Sequence, residues 1–261
     1  MTMSNQSKFD FFREKFPVFS FQKYEYFGDE RKFSAKFNFK LEDGSSDGAD
    51  SVDFTPCFEV PARDFYHWKS IPKEILDVLV FNIGMIELVS YWKIACPKKV
   101  VVKPYFLDDE QIRWWKKLYF NGLGEFFYLN GINAGFDDFM SIESESALPA
   151  DCGNTRFCFE EKTLVPVGGG KDSVVTLEAL RNKIEIKPLI INPRGATRDC
   201  VKAAGFTEND TAVINRTLDP TMLEMNKQGY LNGHTPFSAM LAFYTVLLGF
   251  ATGSRYIALS N

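Results

Sequence analysis

The stretch Val165-Pro166-Val167-Gly168-Gly169-Gly170-Lys171-Asp172-Ser173-Val174-Val175 restricts the possible folds of this chain more than any other. Residues 163–167 are apolar with the β-branched content of a buried strand. Beyond the glycines, Val174, Leu177 and Leu180 recur at helical spacing, which predicts a helix opening near Ser173. Three glycines at a strand-to-helix junction let the backbone turn sharply with its N–H groups exposed. Together with the positive end of the helix dipole those groups make an anion site. The stretch therefore reads as a phosphate-binding loop within an α/β sheet.

Two familiar loop patterns fail by position. A Walker A loop needs glycine at position 165 and Ser or Thr after Lys171, where the chain has Val165 and Asp172. A dinucleotide fingerprint needs a third glycine where Ser173 stands. The stretch instead resembles the Ser-Gly-Gly-x-Asp-Ser loop of the PP-loop ATP pyrophosphatases, with Gly168 in place of the leading Ser. The resemblance implies a C-terminal parallel sheet flanked by helices, of the adenine nucleotide alpha hydrolase type. It implies ATP held by Gly168, Gly169, Gly170, Lys171, Asp172 and Ser173, with Mg²⁺ on Asp172. In that family ATP is split between its α- and β-phosphates.

From residue 161 onward strands and helices alternate. Strands are expected over 163–167, 187–192, 211–215 and 256–259, and helices over 173–182, 197–204, 220–229 and 236–250. Asp219-Pro220 and Thr235-Pro236 read as helix N-caps with a first-turn proline. Such alternation builds βαβ units with ligands at the carboxyl ends of the strands. That rule selects Asn192 with Arg194 and Arg198, Asn215 with Arg216, and Ser260-Asn261 beside the loop; Arg194 or Arg198 is a clamp for phosphate or carboxylate, or an ordinary surface charge. His234 either sits over the nucleotide or caps the following helix. A chain that stops on a buried parallel strand is expected to continue, so this C-terminal domain, 161–261, reads as truncated.

Residues 1–160 read as an α+β domain with antiparallel strands. Residues 32–41 alternate almost perfectly, with Phe33, Ala35, Phe37, Phe39 and Leu41 on one face. A partner strand near 23–27 precedes it, an acidic loop spans 42–51, and a third strand returns over 52–60. Pro72 is expected to open a helix to about Ile94, with Ile75, Leu79, Ile83, Ile86 and Val89 inward and Glu87, Ser90, Tyr91 and Trp92 near its end. A short strand follows at 100–102. Asp108 and Gln111 form a capping-box pattern for a helix to about Tyr119. The glycines of 121–128 mark a loop in which Glu125 is a catalytic acid or base, or a solvated turn residue. Residues 141–160 show little strand or helix pattern and are taken as a linker.

Composition narrows the classes. The 26 phenylalanines, concentrated in the first half, call for an aromatic core. A net charge of −4 and a pI of about 5.4 argue against a nucleic-acid partner. No apolar segment follows a basic N-terminus, and the apolar run 236–251 is shorter than the ~20 residues of a membrane span, so it reads as a buried helix and no membrane partner is expected. Five scattered cysteines suit a reducing, cytoplasmic compartment, and two histidines leave little for a zinc site.

A closer resemblance covers both halves. The loop with its continuation to Glu178, Ser90-Tyr91-Trp92-Lys93, the 121–128 stretch and Leu259-Ser260-Asn261 resemble the MurL-type UDP-N-acetylmuramoyl-L-alanyl-L-glutamate epimerases. The resemblance implies inversion of the terminal L-glutamate of UDP-MurNAc-L-Ala-L-Glu through an acyl-adenylate, releasing AMP and diphosphate, in peptidoglycan precursor synthesis. Asp172, Glu125 and His234 are the candidate catalytic residues, the cysteines being further candidates for the base. A PP-loop amide synthetase and a non-catalytic nucleotide-binding module are the alternatives.

Overall fold

The computed structural model describes residues 3–45 and 48–260. Helix α1 (Asn5–Lys15) leads into β1 (Val18–Gly28) and β2 (Lys32–Glu42). Short strands β3 (Val52–Phe54) and β4 (Cys57–Pro61) follow, then the long helix α2 (Lys73–Trp92) and β5 (Lys99–Val102). Helices α3 (Asp109–Gly122) and α4 (Gly124–Asn130) precede β6 (Ser141–Ser144). The second half runs β7 (Glu160–Pro166), α5 (Lys171–Leu180), β8 (Glu185–Ile191), α6 (Gly195–Ala203) and β9 (Ala212–Thr217). It closes with α7 (Pro220–Lys227), α8 (Phe237–Thr252) and β10 (Ser254–Ile257).

Among the described residues all ten strands belong to one mixed sheet, ordered β10-β7-β8-β9-β4-β2-β1-β5-β6 with β3 beside β2. The four strands of the second half are mutually parallel, as the alternation predicts. Strand β4 then pairs antiparallel with β9, from Cys57 opposite Thr217 to Glu59 opposite Asn215, and carries the sheet into the first half. There β4, β2 and β1 are antiparallel as expected, but β5 and β6 add on in parallel.

Period-two alternation sorts the core. Phe33, Ala35, Phe37, Phe39 and Leu41 of β2 are all buried, and Lys36 between them is exposed. In the second half Leu164, Leu189, Ala212 and Ile214 face the large aromatic core beneath α2 and α8. Their neighbours Val165 and Ile190 face a smaller cluster with Leu177 of α5 and Val201 of α6. Helix α2 is long and apolar enough to cross a membrane, yet from Val80 onward nearly every residue is buried, because the sheet covers one face and α8 the other. The single inward stripe expected for it is therefore too narrow, and Leu79 is only half-buried.

Several expectations need correction. Strand β1 extends N-terminally to Val18, because Phe19 and Phe21 supply buried faces there. The expected strand 52–60 is two strands: the Thr55 N–H donates to Asp219 (2.6 Å) instead of a neighbouring strand, and Pro56 has none to donate. The supposed loop 121–128 is helical, with Leu123, Phe126 and Phe127 at i, i+3 and i+4 burying one side. Residues 141–160 contain β6, where Ile142 packs into the core. Pro72 and Pro236 are themselves the N-caps of α2 and α8, and Thr235 contributes only its carbonyl, which accepts from the Phe237 N–H (2.6 Å). Strand β10 is an edge strand whose Tyr256 and Ile257 are exposed, not the buried strand expected. The capping box at Asp108 and Gln111 forms as the spacing predicts (2.8 and 3.0 Å).

Candidate functional site

After β7 the chain passes to β8 on one side, while β10 returns on the other. The carboxyl end of β7 is thus the point where the strand order reverses, the usual ligand crevice of a parallel sheet. The glycine loop sits there. Val167 still bonds to the β8 carbonyl of Leu189 (2.8 Å), and the Gly168 N–H donates to the buried Ser173 Oγ (2.9 Å), which closes the turn. Gly169 has φ +87°, and a Cβ there would stand 3.0 Å from the Thr197 nitrogen and 3.1 Å from Ala196, so only glycine fits against α6.

Gly170 is the N-cap of α5 and supplies no side-chain cap; a Cβ on it would meet open space. The first-turn N–H groups of α5 therefore have no intrahelical acceptor and no capping side chain. The helix opens at Lys171, earlier than the expected Ser173, which puts Lys171 and Asp172 in its first turn, both exposed. A Cβ on Gly168 would lie 3.9 Å from Ser173 Oγ, so the serine of the related loops would fit without displacement. Ser260 stands three residues past Ile257, which pairs with Leu164; its Oγ is buried without a partner among the described residues. Asn261, expected beside it, lies outside the described residues.

The other strand-end candidates diverge. Asn192 adopts φ +50° at the end of β8, and its amide clasps the Arg216 backbone, accepting at 2.6 Å and donating at 3.1 Å. It is a strap between strand ends. Arg194 caps α6, with its backbone exchanging hydrogen bonds with Thr197 Oγ1 (2.9 Å each), and is exposed. Arg198 is 3.7 Å from Glu208 and lines a separate cavity of about 480 Å³ with Arg63, Phe206 and Asn215. Arg216 turns to the opposite face of the sheet, where Glu87 of α2 accepts two hydrogen bonds from it (2.5 and 2.6 Å) and one from Tyr244 of α8 (2.8 Å). Burial opposes the Arg216 charge, but Glu87 outweighs it and holds the guanidinium above its ordinary pKa.

Glu125 and His234, far apart in sequence, come together. His234 Nδ1 lies 3.0 Å from Glu125 Oε1, both exposed on a groove of about 760 Å³ walled by Trp114, Lys117, Asn121 and Phe237. Helix α8 ends against the start of β7, where the Glu160 N–H donates to Gly253 (2.8 Å). Its 16 residues span about 24 Å and carry its N-terminus to the groove, where it meets α3 and α4. The glycine loop starts α5 on the opposite face of the sheet from α8. Nearby, Lys93 is buried with its ammonium donating to the Gly233 carbonyl; burial, then repulsion from Arg216, lowers its pKa to about 8. Arg216 follows from the strand-end rule and Lys93 lies in the Ser90–Lys93 stretch of the resemblance, but nothing in the sequence pairs Arg216 with Glu87 or Lys93 with Gly233. Among the described residues no three His, Cys, Asp or Glu side chains gather.

No solved structure matches the chain. It is 32% identical over 180 residues to the UDP-N-acetyl-alpha-D-muramoyl-L-alanyl-L-glutamate epimerase of Xanthomonas oryzae pv. oryzae (strain MAFF 311018), covering 69% of this chain and 38% of that protein. It is 30% identical to proteins of the same name from Salinispora tropica (180 residues, 69% of this chain) and a Micromonospora species (194 residues, 71%). The matched regions span 38% and 42% of those two relatives, so the chain covers about two fifths of the length of these proteins. The MurL N-terminal domain model matches residues 10–261, which include the glycine loop and both partners of the Glu125–His234 pair. By that match over nearly its whole length, the chain belongs to the MurL N-terminal domain family.

Proposed function

We propose that this chain is the ATP-handling part of an epimerase that inverts the terminal L-glutamate of UDP-MurNAc-L-Ala-L-Glu to D-glutamate, in peptidoglycan precursor synthesis in the cytoplasm. The relatives' names support the reaction. The observation that carries the nucleotide is the glycine loop at the strand-order reversal, with an uncapped helix start and a φ +87° glycine that tolerates no side chain. The residues fit a polyphosphate: the first-turn N–H groups of α5 have no capping side chain, a Cβ on Gly170 would meet nothing within 4 Å, and Lys171 adds a cation. Asp172 is the one carboxylate in that turn, so Mg²⁺ would be held jointly by it and the phosphates. ATP would supply the activating group, its AMP going to the carboxylate beside the carbon to be inverted as diphosphate leaves, and water would afterwards return the carboxylate and free AMP.

That activation suits the chemistry. A carboxylate disfavours removal of its α-proton, because negative charge would build on negative charge; neutralising it makes the C–H acidic enough for a side-chain base. Glu125 and His234 form the acid–base pair, with Glu125 orienting the imidazole through Nδ1 and leaving Nε2 to exchange the proton. Asn192 acts indirectly, by holding the strand ends.

The deciding measurement incubates the protein with ATP, Mg²⁺ and UDP-MurNAc-L-Ala-L-Glu and scores AMP release and glutamate configuration. AMP with inversion is expected. ADP as product overturns the PP-loop assignment, AMP with amine incorporation and no inversion means an amide synthetase, and binding without turnover means a nucleotide-binding module.

A further inference from the structure

Lys93 is the C-cap of α2 and is only 7% exposed. Among the described residues it has no carboxylate partner. The charged and titratable groups acting on it are Arg216 of β9, which repels it, and the Cys96 thiol. An ammonium buried for a single carbonyl contact is costly, and a methionine would pack there without that cost. What the charge achieves is a grip on the Gly233 carbonyl, one residue before His234.

The same segment is held from its other sides. Gly233 presses on α4 so closely that a Cβ would lie 2.8 Å from the Phe126 ring. Asn130 of α4 donates to the Asn232 carbonyl (3.1 Å) and is itself held by Asn5 (3.1 Å). Beyond His234, Pro236 packs on Gly122, where a Cβ would stand 2.5 Å from the proline ring. The His234 side chain is 77% exposed and has little packing of its own to orient it. Its position against Glu125 is set by the backbone on which it stands.

We propose that Lys93 is a positioning residue: gripping the Gly233 carbonyl from beneath, it fixes His234 against Glu125 at the groove. The consequence for turnover rests on the proton-transfer role proposed above for that pair; the hold itself does not.

The chain has only two histidines, so ring-selective ¹⁵N NMR resolves His234, with His67 as internal control. In the wild type His234 is expected in one tautomer, Nδ1–H, donated to Glu125. Lys93→Met is expected to release it to the averaged tautomer pattern of a free ring, and Lys93→Arg, which keeps a donor, to retain most of the wild-type pattern. An unchanged His234 pattern in Lys93→Met overturns the proposal. Should Lys93→Met not fold, the wild type itself decides: a protected Lys93 Nζ–H signal with a cross-peak to Gly233 is expected, and its absence overturns the proposal. In the epimerase assay Lys93→Met is expected to lower kcat about 10²-fold with KM little changed, as for a catalytic group displaced by about 1 Å. A wild type without turnover whose His234 ring still responds to Lys93→Met sinks the epimerase reading and leaves the hold intact.

Discussion

Arg216 and Glu87 meet in the interior, where neither charge is tolerable alone. Removing one partner of a buried pair is expected to destabilise by about 3–5 kcal/mol, so Arg216→Met should shift the denaturant midpoint strongly and the Glu87→Met/Arg216→Met double variant should recover much of it. Lys93 makes a different prediction. Its pKa in the folded chain is about 8, below the 10.5 of an ordinary lysine. Between those values the unfolded chain still binds a proton that the folded chain has released, so stability should rise with pH across that window. Unfolding curves from pH 7 to 10.5 should show that rise in the wild type and lose it in Lys93→Met.

Among the elements, the glycine loop and α2 are the most constrained. Gly169→Ala should abolish ATP binding measured by calorimetry, since the added methyl meets the α6 backbone and φ +87° disfavours it, whereas Gly170→Ala meets nothing and should bind. Helix α2 packs on the sheet through Gly84, where a Cβ would lie 2.4 Å from the Phe21 ring. Gly84→Ala should therefore destabilise by about 1–3 kcal/mol despite its better helix propensity, because the buried ring has nowhere to move. Strand β2 and the loop with its flanking strand and helix were legible in sequence, since each writes its burial pattern within a dozen residues. Strand β6 and helix α4 were not, because four residues with one buried Ile142 and a glycine-flanked turn of helix leave almost no local signal.

For the whole molecule, the β4–β9 pairing makes the sheet continuous from one half to the other. Thermal unfolding followed by tryptophan fluorescence, which reports on Trp68, Trp92, Trp114 and Trp115 of the first half, should coincide with unfolding followed by far-ultraviolet circular dichroism. Separate transitions would show that the β4–β9 ladder does not couple the two halves.

The loop's chemistry is local: Gly168 to Ser173 must turn, expose N–H groups and start a helix, and those demands fall on adjacent residues that can be read in order. The alternating strands and helices of the second half and the aromatic face of β2 are local in the same sense. The pairing of Glu125 with His234, the burial of Arg216 against Glu87, the use of Asn192 as a strap and the grip of Lys93 on Gly233 join residues from 24 to 140 positions apart. No short-range pattern encodes them, because a charge on an apolar helix has its meaning only once the element packed against it is known.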